Sequence, residues 1–151
     1  MNAFRSLAVL TLLLSTSGLA YAQTYSVGNL QVSQPWSQEL PPNAPTVAAY
    51  FVIENRGMNA DRLLGVDSPI ATQTALHEHV TRDGMMKMQP VTGVNVPAGA
   101  SVTFAPMAYH VMLIAPEDRS LLQDGQQFPL TLHFEKAGAL QVQVEVVKQP
   151  R

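Results

Sequence analysis

From Tyr25 onward, apolar and polar residues alternate with a period of two, the repeat of a β-strand rather than a helix. The last two segments show it most clearly. Leu130, Leu132 and Phe134 alternate with Thr131, His133 and Glu135, and Leu140, Val142, Val144 and Val146 alternate with Gln141, Gln143 and Glu145. Ala137-Gly138 supplies the turn between them. Over residues 47–55, Val47, Ala49, Phe51 and Ile53 share one face and Tyr50 and Val52 the other. Both faces are apolar, so this strand is expected in the middle of a sheet. Shorter strands are expected over 27–32, 63–66, 74–80, 85–91, 101–104 and 109–115, with a helical turn somewhere in the polar stretch 116–125. Residues 34–46 contain Pro35, Pro41, Pro42 and Pro45 and are expected to form an ordered loop, because proline cannot donate to a ladder. Trp36 then reads as a ring covering one end of the core. Roughly eight strands with turn signals about every ten residues predict an all-β fold, an antiparallel Greek-key β-sandwich or barrel.

Composition changes this picture at the N-terminus. Met1-Asn2-Ala3-Phe4-Arg5 is a short basic start, residues 6–14 are apolar, and Ala20-Tyr21-Ala22 is a small-x-small signal before Gln23. This layout predicts a secretory signal peptide over 1–22, cleaved after Ala22, with an apolar run too short to span a bilayer. Residues 23–151 are then expected as one domain, with no membrane anchor after cleavage. The sequence has no cysteine, which excludes a lipid anchor, a disulfide framework and any thiolate ligand. The formal net charge is −2 and no basic run occurs, so nucleic acid and anionic membrane surfaces are excluded as partners.

Candidate chemistry concentrates in residues 77–112. His77, His79 and His110 lie there, three of the 4 histidines, together with Met85, Met86, Met88, Met107 and Met112 from the 7 methionines. Residues two apart on a strand point the same way. His77 therefore shares a face with His79, Met86 with Met88, and His110 with Met112. Thioether sulfur is soft and uncharged and imidazole is intermediate, a mixture that suits Cu(I) far better than Mg, Ca or Mn. Zinc ordinarily takes thiolate, imidazole or carboxylate. His133 and Met58 stand apart and read as ordinary surface or packing residues.

The spacing is H-x10-M-x21-H-x-M, from His77 through Met88 and His110 to Met112. With Leu76-His77-Glu78, Met86-Lys87-Met88, Val96-Pro97-Ala98-Gly99, Tyr109-His110-Val111-Met112-Leu113, Pro41-Pro42-Asn43-Ala44-Pro45 and Ala48-Ala49-Tyr50-Phe51, this resembles the periplasmic copper(A) chaperone family over most of the chain. The resemblance implies a cupredoxin-like β-sandwich in the periplasm, a monomer, binding one Cu(I) per chain through His77, Met88, His110 and Met112. It also implies a copper-accepting partner in oxidase assembly, either cytochrome c oxidase subunit II with its Cu(A) centre or a thioredoxin-like assembly factor. This chain departs from the family pattern in three places. Relatives often carry Met where His79 stands, so His79 joins Met86 and Met107 as an auxiliary donor. Relatives often carry Gly-Gly where Met107-Ala108 stands, and the loss of both glycines is expected to reshape that corner. Some relatives end in a His- and Met-rich tail that takes Cu(II), and no such second site is expected after Lys148-Gln149-Pro150-Arg151.

Three functional readings follow. The first is a copper carrier without catalysis, in which a client's donors displace weakly held thioethers one at a time, so at least one ligand should be partly exposed. The second is a zinc hydrolase or hydratase using His77, His79 and His110, with water in the fourth position. The third is a metal-free structural sandwich. A blue-copper electron carrier is excluded by the lack of a cysteine.

Overall fold

The computed structural model describes residues 23–150, so the expected signal peptide lies outside the described residues. The strands are β1 (Thr24–Val27), β2 (Leu30–Gln38), β3 (Thr46–Asn55), β4 (Asp61–Asp67), β5 (Ala71–Arg82) and β6 (Met85–Val91). They continue with β7 (Val94–Val96), β8 (Ser101–Thr103), β9 (His110–Pro116), β10 (Gln127–Phe134) and β11 (Gly138–Val147). A single 3-10 turn over Arg119–Leu122 provides the helical turn expected between β9 and β10.

Hydrogen bonds link the strands in the order β6-β5-β9-β3-β2-β11-β10-β4-β7, with β1 added to β2 and β8 to β3. Every ladder between these strands is antiparallel except one: β2 and β11 run parallel, with Glu145 opposite Trp36. The two strands are far apart in sequence, so no tight turn forces them antiparallel. This pair joins two wings, and β4 of one wing packs against β5 of the other. Between the wings lies one core. β3 contributes Val47, Ala49, Phe51 and Ile53, and β10 and β11 contribute Phe128, Leu130, Leu132, Phe134, Val142, Val144 and Val146. These are the inward sets that the period of two picks out. Each of the Val, Leu, Ile and Phe side chains contributes about 1.5–3 kcal/mol by leaving water.

The expected loop over 34–46 is a loop only from residue 39 onward. β2 runs through Pro35 to Gln38 and includes Trp36. It tolerates the proline because its register against β3 breaks between Ser33 and Trp36, where Gln34 takes φ +52°. A bulge has no ladder bond there for proline to remove. Trp36 does not cap the end of the core; its ring lies 4.7 Å from that of Tyr50, on the face of β3 turned away from the core. β5 is also longer than expected and forms a ribbon with β6. The ribbon closes through Asp83 and Gly84, both at positive φ (+52° and +73°), the two-residue type I′ turn that matches strand twist.

Candidate metal centre

β5 lies between β6 and β9. The two registers build the site. His77 stands opposite His110, and His79 stands opposite Met88. Met112 stands opposite Ala75 on one side and Ala48 of β3 on the other. Directly opposed residues share a face, so His77, His79, Met86, Met88, His110 and Met112 all project from one side of the sheet. That side is the outer one, because the alternate residues Leu76, Val111 and Leu113 are buried in the core.

His110 is the centre of the cluster. Its Nε2 lies 2.9 Å from Met88 Sδ. Its ring stacks on that of His77, with centroids 5.6 Å apart and planes 15° from parallel, and lies 5.2 Å from that of His79. On its other side, Nδ1 lies 3.3 Å from the Ala108 carbonyl; in the tautomer that donates to this carbonyl, Nε2 presents its lone pair to the sulfur. Burial holds His110 below the ordinary histidine pKa; the bond to Ala108 opposes this, while repulsion from His79 and His77 adds to it. At neutral pH the ring is therefore uncharged and able to act as a ligand. Nδ1 of His77 and Nδ1 of His79 are buried without a hydrogen-bond partner. Buried nitrogens in native folds ordinarily find a partner in protein, water or an ion, so these two are open to a further donor or cation.

Exposure is graded across the cluster. His110 is 3% exposed and Met88 50%. Met112 is half-buried and follows His110 at a strand repeat of about 6–7 Å, within the reach of a flexible thioether. The alanines on either side of it leave that part of the face open. Met86, opposite Thr81, lies one repeat nearer the ribbon tip and is 50% exposed.

Met107 lies in the turn that leads into β9 and is 60% exposed. Ala108 N donates to Ala105 O, Pro106 is the first central residue, and Met107 takes φ +70°. This is a type II turn, whose second central position favours glycine. The corner thus takes, at a methionine, the positive φ that a glycine adopts most easily.

Glu78 lies on the opposite face, where its Oε1 accepts from Gln89 Nε2 at 2.7 Å, so it does not serve the cluster as an acid or base. Among the described residues no three His, Cys, Asp or Glu side chains are grouped so as to hold a metal ion, and His77, His79 and His110 do not close into a zinc triad. The cluster mixes imidazole nitrogen with thioether sulfur, and donors of that kind suit a soft cation. His133 is partly exposed and pairs with Asp67 across β4 and β10, and Met58 is 94% exposed. Sequence reasoning missed the Ala108 carbonyl that orients His110, and the alanines that flank Met112. Neither residue type carries a signal of its own; only the pairing of strands distant in sequence gives them a role.

The fold and this face define an all-β sandwich that carries an imidazole–thioether cluster on its outer surface. The chain belongs to the LpqE-like family, described as "Putative lipoprotein LpqE-like", which it matches over residues 30–146. "Putative lipoprotein Lxx21020" of Leifsonia xyli subsp. xyli (strain CTCB07) is 31% identical over 150 residues, covering 94% of this chain and 88% of that protein. Among solved structures, the copper-bound PCuAC domain from PmoF2 matches with a TM-score of 0.72 at 24% identity, covering 84% of this chain and 99% of that domain. The solution structure of CuI-DR1885 from Deinococcus radiodurans matches with a TM-score of 0.64 at 25% identity, covering 89% of this chain and 86% of that one. The architecture is therefore the all-β, cupredoxin-like fold of PCuAC domains.

Proposed function

We propose that this chain is an extracytoplasmic copper carrier that binds one Cu(I) on the outer face of β5, β6 and β9 through His77, Met88, His110 and Met112. The observation that carries this reading is the approach of His110 Nε2 to Met88 Sδ at 2.9 Å. Two lone pairs that face each other at this distance repel unless a proton or a cation lies between them. A soft monovalent cation satisfies both, and His77 and Met112 flank them on the same face. Two relatives of this fold are described with copper bound, and the family's description as putative lipoproteins supports an extracytoplasmic location, although this chain has no cysteine to carry a lipid.

The site holds its cargo without enclosing it. Met88 is half-exposed, so a client protein can approach from its side and displace the thioether while His110 still holds the metal from beneath. The carrier needs no catalysis of its own. Its client is the Cu(A) centre of cytochrome c oxidase subunit II, reached directly or through a thioredoxin-like assembly factor, as its likeness to the copper(A) chaperones implies. Competition against a Cu(I) chelator tests the binding. The wild-type chain should take one equivalent, and Met88→Leu, Met112→Leu and His110→Ala should each lose to the chelator. Equal retention by all three variants would show that the metal sits elsewhere.

A further inference from the structure

One exposed thioether of the cluster faces an imidazole nitrogen, and this has a chemical consequence for the empty and loaded forms. We propose that Met88 is a site of reversible oxidation: a peroxide converts its thioether to the sulfoxide when the site is empty, and a bound soft cation masks it. The inference rests on the carrier reading above. Met88 is 50% exposed, as is Met86 one repeat nearer the ribbon tip, but the Met88 sulfur is the one that lies 2.9 Å from His110 Nε2. A thioether is oxidised through its sulfur lone pair, and exposure sets how readily an oxidant reaches it. That lone pair is the one a cation would occupy. Loading therefore withdraws the nucleophile without hiding the side chain.

The step is a two-electron oxygen transfer. The sulfur lone pair attacks one oxygen of hydrogen peroxide, the O–O bond breaks and an S–O bond forms. The proton of the transferred oxygen passes to the departing hydroxide, which leaves as water. Sulfur is oxidised and peroxide reduced. The product is polar and its oxygen is a hard donor, so a Cu(I) site loses one of its soft ligands. Reduction by methionine sulfoxide reductase restores the thioether.

The same chain carries its own controls. Met58 is 94% exposed beside the turn after β3, and Met85, 58% exposed, stands opposite Arg82 on the reverse face of the ribbon. Neither sulfur faces the cluster, so oxidation of both should be indifferent to metal. Silver(I) is the probe, because it is soft and does not cycle with peroxide as copper does. The apo chain and the silver-loaded chain are treated with hydrogen peroxide, and each methionine is followed by peptide mass spectrometry. In the apo chain Met88 should gain one oxygen alongside Met58. In the loaded chain its rate should fall by about tenfold, while Met58 and Met85 keep theirs. The oxidised chain should bind silver at least about tenfold more weakly and recover after reductase treatment. A chain with Met58→Leu and Met85→Leu, neither of which faces the cluster, should lose silver affinity to peroxide as the parent does; resistance would mean that the wrong sulfur was assigned. The inference fails if Met88 stays reduced while Met58 reacts, if bound silver leaves its rate unchanged, or if the oxidised chain keeps its affinity. A chain that takes up no silver at all would overturn the carrier reading itself and the masking with it.

Discussion

Met107 holds a backbone angle, φ +70°, that a residue with a Cβ adopts at a cost of about 1–2 kcal/mol, partly offset by the entropy that glycine would lose. Met107→Gly should therefore raise stability by up to about 1 kcal/mol, seen as a higher denaturation midpoint, and leave Cu(I) affinity unchanged. A loss of affinity would show that its sulfur is a ligand. His79 makes a complementary test. Its ring borders His110, yet the sulfur at 2.9 Å from His110 belongs to Met88. His79→Ala should weaken copper binding less than His110→Ala does when both are titrated against the same chelator, and an equal loss would make His79 a full ligand. At this scale the sequence was unusually readable. Strand parity alone put His77 with His79, Met86 with Met88 and His110 with Met112, and donor softness pointed to a soft cation. The orientation of the His110 ring was not readable, because the Ala108 carbonyl that sets it is a backbone atom present at every position.

The ribbon of β5 and β6 is the element on which the site depends. Its inner end is anchored by Leu76, 4% exposed, directly before His77 and on the opposite face. Leu76→Ala should destabilise the chain by about 2–5 kcal/mol through the cavity it leaves, and loosen the imidazole register above it. Chemical denaturation measures the first effect, and hydrogen exchange of β5 amides the second. Unchanged stability would mean that the ribbon is not anchored there. The outer end of the ribbon was legible as Asp83-Gly84, a pair suited to positive φ. Its length was not, because residues 71–73 and 81–82 carry no alternation and are strand only through pairing with β9 and β6. β2 was hidden for the opposite reason. Pro35 argues against a strand locally, and only the bulge at Gln34 shows why the ladder survives it. β7 is too short for any period to appear.

Over the whole molecule, two wings share one core and leave the outer face of one wing free for the cluster. Alternation revealed the all-β class and the buried faces of β3, β10 and β11, but not Ile70, Val94 or Val96. It did not reveal that β11 joins β2 in parallel, since no local pattern records which distant strands meet. The same outer face carries Tyr50, half-buried beside Trp36, and burial holds its phenol above the usual tyrosine pKa. The sign follows from linkage. The unfolded chain ionises at about pH 10, before the folded one, so stability is unaffected below that pH and falls as the pH rises through the interval between the two values. Tyr50→Phe should remove that alkaline loss in pH-dependent unfolding; a loss that persists in the variant would assign it to another group. X-ray absorption at the copper edge of the loaded chain decides the nature of the site. The outer-face cluster predicts one Cu(I) per chain with sulfur and imidazole nitrogen together in its coordination shell. A shell of nitrogen and oxygen alone would contradict it.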